Sequence, residues 1–202
     1  MLHNVDVTNT TEAILNDNSK FTKLGPAENH DHTVKIEKDF QKFLKDLKDK
    51  NLLSKEIVNY IRPVGSRRSR LYGLPKVHKK DVPLRPILST IGSSQRPVAE
   101  YLKGLLQPVY ERYSKYCESD SFHFAELIKS VPVSNENQYM CSFDIKNLFT
   151  NIPLQEVIDI CSAALYEDTN IIPPPFSKSV FTQLLKFATC GLEFCGNDTM
   201  YQ

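Results

Sequence analysis

What this 202-residue chain lacks removes several classes of explanation. No apolar run is long enough to span a bilayer, and the N-terminus carries no apolar segment of the kind that directs secretion. The sequence therefore predicts a soluble, intracellular protein with no membrane partner. Lys and Arg number 25 against 24 Asp and Glu, a formal net charge of +1. That balance argues against a uniformly basic nucleic-acid binder but leaves room for a local basic patch. Cys117, Cys141, Cys161, Cys190 and Cys195 are odd in number and scattered, which suits reduced thiols in a core better than a disulfide framework. Cys190 and Cys195 are the one close pair, and no second pair completes a zinc site. The sequons at Asn9 and Asn197 have no secretory context and read as chance matches. There is no internal repeat and no low-complexity tract.

What is present is a globular composition. With 41% hydrophobic and 24% charged residues, wholesale disorder has no support, and the length suits one domain or one domain plus an extension. Residues 1–33 are polar and read as a weakly ordered lead-in with one short helix near Glu12 to Leu15. His30 and His32 flank Asp31, but two histidines without a third ligand read as a solvated loop. Residues 34–61 form a helical extension. Ile36, Phe40, Phe43, Leu44 and Leu47 recur at helical spacing, and Ser54 is placed to cap a second, short helix ending at Ile61. The remainder, 62–202, alternates helices with short strands.

Charge becomes asymmetric at Arg62. Arg62, Arg67, Arg68, Arg70, Lys76, Lys79 and Lys80 follow one another with no acid before Asp81. Pro63, Gly65, Gly73 and Pro75 break any long helix there, so the run is extended or looped. Two strands, about 70–74 and 84–89, joined by a basic loop, would fold the chain back and hold Lys76 near Arg85. Cations held together without acids suit an anion such as a polyphosphate, or else make a solvated basic hairpin with only a surface role. Charge alone does not separate these two readings.

Gly92-Ser93-Ser94 leads into a helix whose stripe includes Val98, Leu102, Leu105, Leu106 and Val109, with Pro97 in its first turn. Tyr110, Tyr113 and Tyr116 at helical spacing read as core or boundary residues rather than as a base-stacking platform. Further helices are predicted over 121–130, 154–166 and from Ser177 to Cys190, and a terminal hairpin over 192–195 and 199–202. Between them, Gln138 to Phe143 alternates, with Tyr139, Cys141 and Phe143 on one face and Met140, Ser142 and Asp144 on the other. This predicts a central strand ending at Asp144. A carboxylate there usually caps a turn or ends in solvent, and more rarely binds a metal.

Two blocks taken together go further. Leu71-Tyr72-Gly73-Leu74-Pro75-Lys76-Val77-His78-Lys79 is followed by Pro83-Leu84-Arg85-Pro86-Ile87. Later come Ser142-Phe143-Asp144 and Leu148-Phe149-Thr150-Asn151-Ile152-Pro153. In order and spacing they closely resemble reverse transcriptases of Penelope-like retroelements. Leu15-Asn16-Asp17-Asn18-Ser19-Lys20-Phe21 and Arg62-Pro63-Val64-Gly65-Ser66 are similar too, so the resemblance runs from about residue 12 to the end. It implies an α+β fold: basic fingers and an incomplete palm of a right-hand polymerase, helix-rich, with a basic β-hairpin and a short antiparallel sheet.

The resemblance also implies roles. Asp144 matches the first catalytic aspartate, holding Mg²⁺ together with the Ile145 carbonyl. Two such ions about 4 Å apart would activate a primer 3′-hydroxyl and stabilise the leaving pyrophosphate. Lys76 and Arg85 match residues that hold the incoming deoxynucleoside triphosphate. Phe149 matches the position whose ring excludes a ribose 2′-hydroxyl. Arg67, Arg68, Arg70, Lys79 and Lys80 would track phosphates of an RNA template and DNA primer. The implied compartment is the nucleus.

The departures are equally specific. In the family a glycine-rich motif and a paired-aspartate strand follow the terminal hairpin, and no Asp-Asp pair occurs in this chain. One catalytic carboxylate does not hold two divalent ions in the required geometry. The expectation is a truncated polymerase fragment, inert alone. The alternatives are a non-catalytic nucleic-acid-binding module, or a globular α/β protein whose basic hairpin binds another protein.

Overall fold

The computed structural model describes residues 15–16, 21–25, 32–77, 82, 84–114, 117–132, 139–145, 148, 151–196 and 198–202. Among them are seven helices and four strands, an α+β composition. The helices are α1 (Thr33–Asp49), α2 (Lys55–Ile61), α3 (Arg96–Leu105), α4 (Gln107–Ser114), α5 (Ser121–Ser130), α6 (Leu154–Tyr166) and α7 (Lys178–Thr189). The strands are β1 (Ser69–Pro75), β2 (Leu84–Ser89), β3 (Phe194–Gly196) and β4 (Thr199–Tyr201). The chain divides into two compact units, one of residues 1–103 with 174–202, the other of residues 104–173.

The first unit carries the sheet, in the order β2-β1-β3-β4. The two hairpins are antiparallel, but β1 and β3 run parallel, joined through Ser69↔Phe194 and Arg70↔Cys195. The sheet is thus mixed, where the sequence had suggested antiparallel pairing throughout. Parallel pairing needs a long crossover, and the chain between β2 and β3 supplies one. Residues 22–24, from the polar lead-in, continue the sheet beyond β4. Thr22 N donates to Gln202 O at 2.8 Å, Gln202 N to Thr22 O at 2.9 Å, and Leu24 N to Met200 O at 3.0 Å. That backbone covers an edge that would otherwise present unpaired groups. Leu15, Phe194 and Tyr201 are buried together, with Phe21 and Leu71 packed against them.

The helical core of this unit follows the sequence pattern. Phe40, Leu44 and Leu47 of α1 are buried, as are Val58 and Ile61 of α2 and Val180, Phe181, Leu184 and Leu185 of α7. The Phe40 and Phe187 rings stack face to face, 3.6 Å apart and 2° from parallel. Each such aliphatic or aromatic side chain contributes about 1.5–3 kcal/mol on burial. Caps stand where the sequence places them: Ser54 Oγ accepts from Ile57 N at 3.4 Å, and Ser177 Oγ from Val180 N at 3.3 Å. The predicted single helix after Ser94 is instead two, with a break at Leu106. Pro108 has no backbone N–H to donate to the carbonyl four residues back, and its ring crowds that turn.

One polar contact ties α1 to the loop that feeds β1. The Glu37 carboxylate accepts from Ser66 N at 2.6 Å and Gly65 N at 3.3 Å. Gly65 has φ +67°, and such a left-handed residue turns successive amides toward one anion. One turn along α1, Gln41 Nε2 donates to Pro63 O at 2.7 Å. The Ser66 side chain beside it and the backbone amides of Ser66 and Gly65 hold the Glu37 carboxyl below the usual glutamate range.

The second unit holds α4, α5 and α6. Ile158, Ser162 and Leu165 of α6 are buried. Arg112 Nε meets Asp168 Oδ2 at 2.8 Å, and Asp168 also accepts from the backbone and side chain of Asn170. Asp120 caps α5 by accepting from Phe122 N and His123 N. Every residue of α5 is exposed, Phe122 at 84%. Tyr110 and Tyr113 are exposed as well, contrary to their reading as core or boundary residues.

Of the central strand predicted from Gln138 to Phe143, Gln138 lies outside the described residues, and residues 139–143 form no strand. Residues 139–145 have no strand structure and all are exposed, with Tyr139 at 86% and Phe143 at 96%. Alternation becomes a strand only where a partner supplies hydrogen bonds and a packed layer covers one face. The four-stranded sheet does not include this segment.

Replacing Glu37 with Ala should lower Tm at neutral pH by about 2–4 °C, the size of a screened, charge-assisted hydrogen-bond set worth about 1 kcal/mol. A carboxyl depressed by folding adds stability above its ordinary pKa and loses it as pH falls through the lowered value. The gap between wild type and variant should therefore close on acidification. Thermal melts across that range test this, and a gap that persists in acid would remove the charge from the explanation.

Candidate nucleic-acid and nucleotide interface

Among the described residues of the basic run, Arg67 and Arg68 precede β1, Arg70 lies on it and Lys76 follows it. Register pairs Arg70 with Ser89, Tyr72 with Ile87 and Leu74 with Arg85. Residues paired in this way share a face, and so do residues two apart on one strand. Arg70, Tyr72 and Leu74 therefore lie on the face of Arg85 and Ile87, and Lys76 follows two residues after Leu74. Lys76 itself lies one residue past β1, whose Leu74 is the partner of Arg85. Arg70, Tyr72, Leu74 and Arg85 are exposed, whereas Ser69 and Leu84 on the opposite face are buried.

The hairpin also projects. β3 pairs with β1 only through Ser69 and Arg70, so the part from Leu71 to Pro75 has β2 as its sole strand neighbour among the described residues. This explains how Pro75 and Pro86 are tolerated: one lies at the end of the projecting part, the other on the edge strand.

The base of the hairpin is closed by a backbone bond from Arg67 N to Gly92 O at 2.7 Å. Gly92 has φ +78°, and a β-carbon built there would lie 3.6–3.7 Å from the aliphatic stem of Arg67. Arg67 and Arg68 are exposed. Among the described residues, Arg67, Arg68, Arg70, Lys76 and Arg85 have no ion-pair partner. Arg96 and Arg112, by contrast, are matched to Glu100 and Asp168 at 2.8 Å. The near-zero net charge therefore conceals a segregated group of unneutralised cations.

Asp144 belongs to the second unit, in the exposed segment 139–145, with Ile145 64% exposed. Lys79, Lys80 and Phe149 lie outside the described residues. Among the described residues no three His, Cys, Asp or Glu side chains group so as to hold a metal ion. Asp144 and the Ile145 carbonyl by themselves offer fewer oxygen ligands than a pair of Mg²⁺ ions requires.

Tyr72 was not singled out by charge. Its signal was the two-residue spacing of Arg70, Tyr72, Leu74 and Lys76, which sets an aromatic ring, 47% exposed, among cations on one face. No family model, curated protein or solved structure matches the chain.

Gly92→Ala should cost about 1–2 kcal/mol, because a left-handed backbone is strained for any residue with a β-carbon although space for the methyl exists. Chemical denaturation measures it. An unchanged midpoint would show that the hairpin base does not depend on that conformation.

Proposed function

We propose that the chain grips nucleic acid and a nucleoside triphosphate through the β1–β2 hairpin. On this reading it represents the fingers and the first part of the palm of an RNA-directed DNA polymerase, and it does not polymerise alone. The observation that carries this reading is the exposed hairpin face with Arg70, Tyr72 and Arg85, extended by Lys76, with no acid matched to any of these cations among the described residues. Phosphates are the natural counter-charge. Arg offers a planar fork to phosphate oxygens and Lys a point charge, while an exposed tyrosine ring gives a base a face to lie on. Arg67 and Arg68 extend the positive surface toward the hairpin base.

In this reading Lys76 and Arg85 hold the triphosphate of a deoxynucleotide, and Arg67, Arg68, Arg70, Lys79 and Lys80 hold template and primer backbone. Phe149 selects against a ribose sugar. Asp144 supplies one carboxylate of a two-metal centre whose other ligands this sequence, with no Asp-Asp pair, does not provide in the family's pattern. The compartment that fits an element copying itself into chromosomes is the nucleus. For the described residues, no helix is long and apolar enough to cross a membrane.

A second reading, a nucleic-acid-binding module without chemistry, is favoured by the lone carboxylate at Asp144. Triphosphate binding separates the two. The polymerase reading expects a fluorescent deoxynucleoside triphosphate to bind and Lys76→Ala or Arg85→Ala to weaken it about tenfold, the loss of one charge-assisted contact. Nucleic-acid binding without triphosphate binding would leave the module.

Both readings expect an RNA–DNA hybrid to bind with an affinity that falls as salt rises, by about 0.9 in log–log slope per phosphate contact. Arg68→Ala and Arg70→Ala should each flatten that slope by about one. Fluorescence anisotropy over a salt series measures it, and salt-independent binding would point to a protein partner for the hairpin. Primer extension on an RNA template with Mg²⁺ should stay at the level of a no-protein control. Extension above it would overturn the claim that the chain is inert alone.

A further inference from the structure

A cleft of about 290 Å³ opens in the first unit beside the base of the hairpin. Its apolar lining comes from Tyr60, Pro63, Val64 and Pro97, and its polar lining includes Ser93, Arg96 and Glu100. The volume lies at the small end of ligand sites, enough for one flat heterocycle but not for a drug-sized molecule.

Tyr60 is set for such a ligand. Tyr60 is 67% exposed, yet its ring packs at a steep angle, 62°, to the Tyr101 ring, with centroids 5.9 Å apart. An aromatic neighbour of that kind fixes a ring without covering its faces. Val64 is 80% exposed beside it. The polar lining holds a donor and an acceptor together, since Arg96 Nη2 meets Glu100 Oε1 at 2.8 Å while both side chains remain about half exposed. Base edges carry the same mixture. Ser93 is 5% exposed and its hydroxyl has no hydrogen-bond partner among the described residues.

The cleft also adjoins a phosphate-binding candidate. Gly92 lines it, and the stem of Arg67 stands 3.6–3.7 Å from where a β-carbon of Gly92 would lie. A strand whose phosphate rests on Arg67 therefore has a base within reach of Tyr60. A base already paired in a duplex presents neither its face nor its Watson–Crick edge, so the occupant belongs to a single strand.

We propose that this cleft receives one unpaired nucleobase of a single-stranded nucleic acid, laid against Tyr60 while Arg67 holds the adjoining phosphate. The inference rests on the reading of the basic surface as a nucleic-acid grip and adds a place where the strand is held by a base as well as by charge.

The test compares a short single-stranded DNA with the same strand made of abasic sugars, titrated by fluorescence anisotropy against the full chain. Both strands carry the same phosphates, and only one carries bases. Wild type should bind the base-bearing strand about tenfold more tightly, within the range of one stacked base. Tyr60→Ala should erase most of that preference with the salt slope unchanged, and Tyr60→Phe should retain it. Val64→Asp, at an exposed position where the fold tolerates charge, should erase it by a second route. Equal binding of the two strands by wild type, or a preference untouched by Tyr60→Ala and Val64→Asp, overturns the cleft as a base site and leaves the electrostatic grip standing. Failure of both strands to bind overturns the cleft as a base site, and the grip is then judged separately by the RNA–DNA hybrid titration.

Discussion

The reception of the Glu37 carboxylate by the amides of Gly65 and Ser66 is the constraint on which the basic surface depends. It fastens α1, held in turn by the Phe40–Phe187 stack, to the loop from which β1 departs. The hairpin then leaves the sheet from a fixed root, closed by the Arg67–Gly92 backbone bond. Repulsion among unmatched cations would otherwise spread such a loop. The arm thus has one buried end and one projecting end, with its charge outward.

Much of this was legible in the sequence, for identifiable reasons. The helices α1, α2, α6 and α7 announce themselves because their apolar residues repeat at the period of the helix and Ser54 and Ser177 stand at the caps. The hairpin was legible because two short runs flank a loop, and its register follows from folding back. What was illegible depends on distant partners. Alternation at 138–143 looks like a strand, but a strand is a property of a pair, and no sequence window contains the partner. The addition of residues 22–24 to β4 and the seating of Glu37 on Gly65 and Ser66 are long-range contacts that leave no local trace. The cleft against Tyr60 was hidden for the same reason, since it combines α2, the loop after it and the start of α3.

Charge is sorted rather than merely balanced. Arginines on helices are answered by acids nearby, as in Arg96–Glu100 and Arg112–Asp168, while those on the hairpin and its root are left open among the described residues. A solvated basic patch and a ligand site differ in what stands between the cations. Here Tyr72 on the hairpin face and Tyr60 beside its root place aromatic surface next to positive charge, which suits a polymer that alternates phosphates with flat rings.

The first unit is assembled from two stretches of chain separated by the whole of the second. Its sheet sets β1 against β3 and residue 22 against residue 202, contacts of very large sequence separation. Such pairings pay their loop-closure entropy before they gain anything, and they slow folding accordingly. On the ribosome the intervening unit, contiguous in sequence, emerges whole and is free to fold first. The hairpin must wait with its edge open until the last strands arrive. Through that interval the hairpin keeps an unpaired strand edge, the feature by which chains pair edge to edge.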